Sequence, residues 1–414
     1  MAALGAVLLL SIVVSSFVLV GRWSEAPGSA SPINPLVKFD AVKNYSSKGK
    51  LLFVTVSSGQ LNGLAAFQGW IDPDVDELTK KERFGTATPE QDRQIGLRQM
   101  HTAAEDAPYV ALTKLGYPTV LQDGPVVIDQ VLCLVVNPKD NQVCDKYVPA
   151  GDFLKRGDEI EAINGTPIAN QSDLTKAMKA GNYKAGQQVQ LTVQRGDPNT
   201  GLPGGAKETG SVTLFQDPND ATHVLIGIQT ADTRTVKLPF PVTIDSGDVG
   251  GPSAGLAFTL DIIDQMTPGD LTGGKKVAVT GTIDVDGNVG AIGGIHQKAI
   301  AVKQAGGQAF IIPASQSAAD IAIVKKILGA ANVYTVTTLD EALAVLAKLG
   351  GNALDIGTPG KNYTPAPASS GTAAPSSTNP ATPATPATPG DDVPGTPVAS
   401  VPATSAVSEA PTTT

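Results

Sequence analysis

Histidine, cysteine and aromatic residues are scarce in this chain of 414 residues, and each scarcity argues against a class of site. The three histidines and two cysteines form no cluster with metal-ligand spacing, so the sequence predicts no metal site. Aromatic residues make up 5% of the chain, too few for a platform on which nucleic-acid bases would stack. A formal net charge of −9 further argues against nucleic acid as a main partner.

One lysine occupies a position that should be apolar. On a helical wheel of about 100° per residue, Lys298 falls within an arc formed by Ile295, Ala299, Ala301, Val302 and Ala305. Burial of a lysine disfavours its charged form and lowers its pKa, and a neutral amine beside a hydroxyl can act as a general base. The alternative is that the side chain extends past the helix edge and keeps its ammonium in water.

A serine follows a run of glycines, which let the backbone turn tightly and approach a ligand. After Ser253, residues 254–266 are mostly apolar with helical spacing, and Pro268 marks the end of that helix. Ser253 is therefore expected at a helix N-terminus. There, backbone N–H groups around Gly251 and Ser253, together with the helix dipole, would stabilise an oxyanion. A simple N-cap serine is the alternative.

Three motifs occur in a fixed order around these two residues. They are Asp248-Val-Gly-Gly-Pro-Ser-Ala-Gly255, Leu271-Thr-Gly-Gly-Lys-Lys-Val-Ala-Val-Thr-Gly281 and Asp286-Gly-Asn-Val-Gly-Ala-Ile-Gly-Gly-Ile-His-Gln-Lys298. Together they resemble the proteolytic domain of Lon-type serine proteases, over about residues 222–350. The resemblance implies that Ser253 is the nucleophile and that Lys298 is its base.

The same resemblance assigns supporting roles. Thr280, in the Thr-Gly segment, is similar to the family residue that holds the lysine amine. Three residues before the serine, where many Lon proteases have an acidic residue, this chain has Gly250. Asp248 or Asp245 is therefore the candidate for that supporting role.

Two other motifs compete with this interpretation. The glycine pattern around Ser253 also fits the nucleophile elbow of α/β-hydrolases, which needs a later acid and then a histidine. His296 is the only histidine after the serine, and it falls on the polar side of its helix. The segment from Gly269 to Lys276 resembles a phosphate-binding P-loop but lacks the final Ser or Thr. The sequence therefore predicts no nucleotide and no other cofactor.

Residues 151–196 resemble the second half of a PDZ domain. They contain a Leu-Lys-x-Gly-Asp-x-Ile run, an Asn-Gly turn, a short helix face and an alternating strand at 189–195. PDZ domains bind extended peptides by adding a strand to their sheet. We therefore predict a PDZ-like domain at 116–216 that binds a substrate or a regulator, without assigning its peptide-binding residues. A generic α+β insert is the alternative.

The two cysteines flank a predicted turn. Cys133 and Cys144 lie on either side of Asn137-Pro-Lys-Asp140, and a hairpin there would bring them close together. A disulfide would indicate an oxidising compartment. Two free buried thiols are the alternative.

The N-terminus is uncharged and apolar from Ala2 to Val20, a length that suits a membrane span. We predict a transmembrane anchor at 1–22 and a juxtamembrane segment at 23–115, with a cleaved signal peptide as the alternative. With the cysteines and the PDZ resemblance, this predicts a single-pass cell-membrane protein whose bulk is extracytoplasmic.

Residues 359–414 are rich in proline, alanine, threonine and serine. Such a segment cannot bury a core and is expected to be disordered. The predicted fold class is α+β, with a transmembrane helix, a β-rich PDZ-like domain, a Lon-type proteolytic domain at 222–350 and this tail.

The predicted function is that of a membrane-tethered, ATP-independent serine endopeptidase, which uses its Ser-Lys dyad to cleave exposed polypeptide segments. The alternative is a catalytically inactive envelope scaffold that binds peptides. Lon-type domains often form six-membered rings, so the resemblance makes a homo-oligomer a candidate assembly.

Overall fold

The computed structural model describes residues 10, 12–39, 42–85, 87–137, 140–197, 202–217, 220, 223–231 and 233–363. Its helices are α1 (Gly63–Ile71), α2 (Lys80–Phe84), α3 (Pro89–Lys114), α4 (Gln171–Ala180), α5 (Gly255–Met266), α6 (Ile295–Gln304), α7 (Ala318–Leu328) and α8 (Leu339–Lys348). The strands of the N-terminal half are β1 (Leu19–Pro32), β2 (Val37–Lys38), β3 (Lys50–Asn62), β4 (Asp76–Thr79), β5 (Val120–Asp123), β6 (Val126–Val131), β7 (Cys133–Asn137), β8 (Asp140–Tyr147), β9 (Glu159–Ile163), β10 (Thr166–Pro167) and β11 (Gln188–Gly196). Those of the C-terminal half are β12 (Pro203–Thr213), β13 (Phe215–Gln216), β14 (Val224–Leu225), β15 (Ile228–Thr230), β16 (Arg234–Lys237), β17 (Thr243–Ile244), β18 (Lys276–Val279), β19 (Thr282–Ile283), β20 (Val289–Gly290), β21 (Ala309–Pro313) and β22 (Val333–Val336).

A six-stranded sheet joins the two ends of the described chain, in the order β22-β21-β18-β3-β1-β4. The strands from β22 to β3 run parallel, and β1 and β4 add to them antiparallel. Residues 19–79 therefore supply half of the sheet and residues 276–336 supply the other half. The strand pairing places the segment predicted as juxtamembrane in the same sheet as the C-terminal strands.

Both faces of this sheet are buried, as parallel strands generally require. Alternate residues of β3 enter different cores, because successive side chains of a strand point to opposite faces. Leu51 and Phe53 pack with α3, α5 and α8, whereas Leu52 and Val54 pack with α6 and α7. Helix α5, which follows Ser253, and helix α6, which carries Lys298, thus lie on opposite faces of one sheet.

An insertion between β5 and β16 forms a second sheet. Its strand order is β12-β11-β9-β6-β15, with β10 paired to β9. It has a core of its own, whose members include Ile128, Ile160, Leu191 and Val212. The two ends of this insertion are joined by the antiparallel pairing of β5 with β16. In its β7–β8 hairpin, Cys133 and Cys144 form a disulfide with their Cα atoms 5.7 Å apart. The domain boundaries given by the sequence stay a prediction.

Several elements follow from local sequence patterns. The apolar run Ala309-Phe-Ile-Ile-Pro313 forms strand β21. The turn residues Asp286-Gly287 lie between β19 and β20, in which Ile283 is paired with Val289. The amphipathic segment at Leu339–Lys348 forms helix α8.

The predicted N-terminal transmembrane helix is wrong. Residues 12–17 are helical, but from Leu19 onward the chain is strand β1, which pairs with β3 and β4. Within the residues that the structure describes, which leave out 1–9 and 11, no helix is both long enough and apolar enough to span a membrane. The predicted span at 1–22 is therefore interrupted at Leu19, where pairing with β3 begins.

Three related predictions are corrected with it. The single-pass cell-membrane location and the membrane as a partner both depended on that helix. The α+β fold class is replaced by a mixed α/β arrangement, because the main sheet combines parallel and antiparallel strands with helices on both faces.

The start of the predicted disordered tail is ordered. Pro359–Asn362 forms a short 3-10 helix in which Gly360 is buried. The ring of Tyr363 packs against Tyr117 and Phe240, with centroid separations of 5.3 and 5.5 Å. The rest of that predicted tail, residues 364–414, lies outside the described residues.

Candidate active site

Ser253 is held at the end of a glycine-rich loop, two residues before α5 begins. Its carbonyl oxygen accepts hydrogen bonds from the Gly281 N–H at 2.9 Å and from the Thr280 hydroxyl at 3.1 Å. Gly251 has a φ of 93°, a conformation that glycine adopts without steric cost. The serine side chain is 6% exposed, so it lies at the base of the loop and not on an open surface.

Lys298 reaches the serine from α6, on the other side of the sheet. Gly294 starts that helix with a φ of 63°, and the Lys298 side chain then extends into the interior, where it is 1% exposed. Its Nζ lies 2.7 Å from Ser253 Oγ and 3.2 Å from Thr280 Oγ1. The structure therefore brings together the three residues that the motifs singled out.

The hydroxyl of Thr280 orients the amine. Because Thr280 donates its one hydroxyl hydrogen to the Ser253 carbonyl, its oxygen can only accept from Lys298 Nζ. A neutral amine has two hydrogens and one lone pair. With one N–H directed at Thr280, the lone pair can point at the Ser253 hydroxyl, which is the geometry that a general base needs.

Burial lowers the pKa of Lys298 to about 7, while the nearby charge of Glu25 opposes that change. The cause is desolvation, since the ammonium loses its water and gains few partners. Near neutral pH a substantial fraction of the amine is therefore unprotonated, whereas a lysine in water would be almost wholly charged.

Glu25 is the acidic residue near the lysine, and the sequence analysis missed it. It is buried on β1, and a Cβ built on Gly294 would lie 2.7 Å from its Oε1. Desolvation raises the pKa of Glu25, while the charges of Arg83 and Lys298 lower it. The signal available in the sequence was the alternation of Trp23 and Glu25, which places both side chains on one face of a strand.

The acidic candidates from the sequence lie elsewhere. Asp248 and Asp245 are exposed, and Asp245 accepts a hydrogen bond from the Gly247 N–H at 3.2 Å. The Gly251 N–H, predicted to stabilise an oxyanion, donates instead to the Gly96 carbonyl of α3 at 2.7 Å. In this conformation that N–H is not available to a substrate, and the supporting roles of Asp248 and Gly251 stay predictions.

The P-loop-like segment has a different local structure. Lys275 donates a hydrogen bond to the Leu349 carbonyl, and Lys276 begins strand β18 where a P-loop would begin a helix. Across the described ranges, no group of three or more His, Cys, Asp or Glu side chains is arranged to hold a metal ion.

A serine hydroxyl beside a desolvated lysine, next to a helix N-terminus, is the arrangement of serine hydrolases that use lysine as the base. The family comparison agrees with that class. Residues 226–348 match the C-terminal proteolytic domain of Lon protease (S16). This part of the chain is thus similar to the Lon proteolytic domain, in agreement with the resemblance that its motifs carry.

Individual Lon proteases are also similar to this chain, each over part of its own length. A Lon protease of Chloroflexus aggregans is 26% identical over 226 residues, which cover 52% of this chain and 25% of that protein. A Lon protease of Neorickettsia sennetsu is 34% identical over 111 residues, covering 27% of this chain and 13% of that protein. The chain therefore spans a quarter or less of the length of these relatives.

Two solved structures show a limited similarity to part of the chain. The PDZ domain of an SdrC-like protein from Listeria monocytogenes is 24% identical, with 27% of this chain and 93% of that domain covered and a TM-score of 0.19. A protein from Geobacillus thermodenitrificans is 23% identical, with 24% and 93% covered and a TM-score of 0.16.

Proposed function

We propose that this protein is a serine endopeptidase in which Ser253 is the nucleophile and Lys298 its general base. The observation that carries the proposal is the 2.7 Å separation of Lys298 Nζ and Ser253 Oγ at a lysine that is almost fully buried. A cation there would be poorly solvated, whereas a neutral amine can accept the proton of the serine.

The reaction proceeds in two halves. As Ser253 Oγ attacks the scissile carbonyl carbon, its proton passes to Lys298 Nζ and a tetrahedral intermediate forms. The intermediate collapses, the C–N bond breaks, and Lys298 returns the proton to the leaving amine, which leaves an acyl ester on Ser253. In the second half, water gives a proton to Lys298 and attacks the ester, so that the peptide acid is released and Ser253 is reprotonated.

The oxyanion of each half-reaction would form near the N-terminus of α5. The dipole of that helix favours negative charge at this end. Because the Gly251 N–H donates to Gly96, it would join the oxyanion site only after that hydrogen bond is released. The contact between α3 and the serine loop is thus part of the proposal.

We propose that cleavage needs no ATP. Support comes from the P-loop-like segment, whose lysine is bonded to Leu349 and which is followed by a strand. Without an unfolding step, the substrates would be exposed and flexible polypeptide segments, because a folded chain could not enter a site so deeply placed.

The second sheet is proposed to bind a polypeptide substrate or regulator. Its outermost strands, β12 and β15, are sheet edges, and an extended peptide can add to such an edge through main-chain hydrogen bonds. In this role the second sheet would deliver a segment of the substrate to the active site, but it would not take part in the chemistry.

Incubation of the purified protein with an unstructured protein such as casein, without nucleotide, tests the proposal. We expect cleavage by the wild type and a loss of about 10⁴-fold or more in the Ser253→Ala protein. A fluorophosphonate probe should label Ser253 in the wild type only. If the wild type neither cleaves nor is labelled, the inactive peptide-binding scaffold becomes the better description.

A further inference from the structure

The helix that carries Lys298 begins without a capping side chain. Gly294, the residue before α6, makes no side-chain hydrogen bond to the first turn, although the N–H groups there have no partner within the helix. Helices α1, α2, α3, α4, α7 and α8 each begin with a capping side chain, from Asn62, Thr79, Thr88, Asn170, Ser317 and Thr338 respectively. The start of α6 is therefore held by contacts from other parts of the fold.

One of these contacts comes from Gln316, whose side-chain amide binds the chain just before α6. Its Oε1 accepts a hydrogen bond from the Ile292 N–H at 3.1 Å, and its Nε2 donates one to the Ile292 carbonyl at 2.9 Å. The amide thus engages both main-chain groups of Ile292, as a residue of a paired strand would. Gln316 is 9% exposed, so water has little access to these two bonds.

Gln316 is itself fixed by rigid elements of the fold. It follows β21, a strand whose residues are all buried in the main sheet. On one side of it, the Ala314 N–H donates to the Val336 carbonyl of β22 at 2.8 Å. On the other side, Ser317 caps α7 by accepting from the Asp320 N–H at 3.0 Å. The amide of Gln316 is therefore held between a central strand and a capped helix.

The path from Ile292 to Lys298 is short. Gly293 and Gly294 are the only residues between Ile292 and α6, and glycine restricts the backbone least. The Lys298 N–H donates to the Gly294 carbonyl at 2.9 Å, so the backbone of the lysine is bonded directly to the end of this loop. A shift of Ile292 would therefore be passed on to the lysine.

The same helix has a second tie to the sheet. Gln297, which is 2% exposed, donates from Nε2 to Asp76 Oδ2 of β4 at 2.6 Å. In the sheet, β4 and β21 are separated by β18, β3 and β1, so the two ties are far apart. Because the bond of Gln297 would persist, loss of the Gln316 bonds should displace the start of α6 without detaching the helix.

We propose that Gln316 is a positioning residue, which holds the start of α6 so that Lys298 Nζ stays within hydrogen-bond distance of Ser253 Oγ. The proposal rests on the peptidase function proposed above. A general base must lie within hydrogen-bond reach of the proton that it accepts, and a misplacement of about 1 Å can lower the rate about 10²-fold. Gln316 acts through the backbone and takes no part in the proton transfers.

The test compares Gln316→Met with the wild type in cleavage of a short fluorogenic peptide. Methionine is about as long as glutamine but cannot form either bond to Ile292. The kinetic constants are measured on the alkaline plateau of the pH–rate profile, where Lys298 is neutral, so that a change in its charge does not contribute. We expect kcat to fall about tenfold or more and KM to stay within about twofold, because the base acts in the chemical steps and not in substrate binding.

Gln308 provides the matched control. It is an exposed glutamine at the other end of β21, and its Oε1 accepts a hydrogen bond from the Lys276 N–H at 3.0 Å. Gln308→Met therefore removes a bond between a side-chain amide and the main chain without affecting the loop before α6, and it should keep the kcat of the wild type. An equal loss of kcat in both variants would overturn the proposal. A rise in KM of Gln316→Met at unchanged kcat would overturn it too.

Thermal unfolding first shows whether each variant is folded. If Gln316→Met is not, Gln316→Glu decides the matter, because it keeps the shape of the side chain and an acceptor for the Ile292 N–H but loses the donor. A fall in kcat without a rise in KM supports the proposal, and a wild-type kcat overturns it. If neither variant folds, Gln316 is required for the fold itself and the proposal also fails.

The outcome for the wild type separates this inference from the proposed function. A wild type that cleaves the peptide, with a folded Gln316→Met protein of equal kcat, refutes only the positioning role. A wild type that cleaves no peptide refutes the proposed function and the positioning role together.

Discussion

At the scale of the residue, the behaviour of Lys298 follows from where its amine is buried. The side chain enters from α6 and finds two hydroxyl oxygens within 3.2 Å, but no carboxylate forms an ion pair with it among the described contacts. Hydroxyls orient an amine without stabilising its charge as strongly as an ion pair would. Desolvation therefore dominates, and the pKa falls to about 7.

The first prediction concerns the pH dependence of cleavage. Lys298 acts as a base only when it is neutral, so kcat/KM for a peptide should rise as the pH increases through about 7. A pH–rate profile from pH 5 to 9, measured with a substrate lacking ionisable side chains, checks this. A profile that is flat across pH 7 would contradict the assignment of Lys298 as the base.

The second prediction separates Glu25 from Asp248. The charge of Glu25 raises the pKa of Lys298, so Glu25→Gln should move the acidic limb of the pH–rate profile to lower pH. Asp248→Asn, at an exposed carboxyl, serves as the control and should leave that limb in place. A merely structural role of Glu25 would reduce activity at every pH without moving the limb.

The third prediction is a stability effect with a definite sign. Between the lowered pKa of folded Lys298, about 7, and its ordinary value in the unfolded chain, the unfolded state binds more protons. The free energy of unfolding should therefore rise with pH in this window, by about 1.4 kcal/mol per pKa unit of difference at most. Lys298→Met should remove that rise, and its stability advantage over the wild type should shrink from pH 6 to pH 10. Urea unfolding of both proteins at several pH values measures this difference in stability.

At the scale of the element, two glycines at the ends of α6 have different constraints. Gly294 and Gly306 both have positive φ, 63° and 68°. A Cβ on Gly294 would lie 2.6 Å from a methyl group of Val56 and 2.7 Å from Glu25 Oε1, whereas a Cβ on Gly306 would meet open space. The start of this helix is thus packed directly against Val56 and Glu25, whereas its end has open space beside it.

The fourth prediction compares substitutions of Gly294 and Gly306. Gly306→Ala should cost about 1–2 kcal/mol for the left-handed conformation alone. Gly294→Ala should cost a further amount of about 1–3 kcal/mol for the overpacking and should also reduce cleavage, because the helix that carries Lys298 must move. Thermal unfolding and peptide cleavage of both variants test this. Equal effects on both measurements would show that the start of α6 does not position the lysine.

At the scale of the whole molecule, the chain leaves the main fold after β5, forms the second sheet and returns at β16. The pair β5 and β16 joins the two ends of the second sheet, and Thr233 donates a hydrogen bond to the Pro125 carbonyl at the same place. The second sheet also has its own core. The hydrophobic cores around the main sheet are therefore separate from the core of the second sheet.

The fifth prediction follows from this arrangement. Replacing residues 126–230 by a short glycine linker should leave fluorophosphonate labelling of Ser253 close to the wild-type rate, since the joined ends already lie side by side. Cleavage of long polypeptides should fall more than cleavage of short peptides, if the second sheet delivers substrates. The same deletion with Ser253→Ala is the control for labelling. A folded deletion protein that is not labelled would refute the independence of the site.

The motifs and their local structures could be predicted from the amino-acid sequence. Glycines before Ser253, an apolar run after it and a lysine on an apolar helix face were readable because helix periodicity and turn chemistry depend on neighbours in the chain. The family comparison agrees with these motifs over residues 226–348. Interactions between residues close together in the chain determine these features.

The residues around Ser253 and Lys298 became known from the three-dimensional fold alone. Glu25 and Arg83 are more than 160 residues before Ser253 in the chain, and no local pattern links strand β1 or helix α2 to the serine loop. The same limitation affected the predicted membrane span at 1–22, because no local pattern shows that strand β1, which begins at Leu19, pairs with β3 and β4. Those long-range hydrogen bonds also place Glu25 near the lysine.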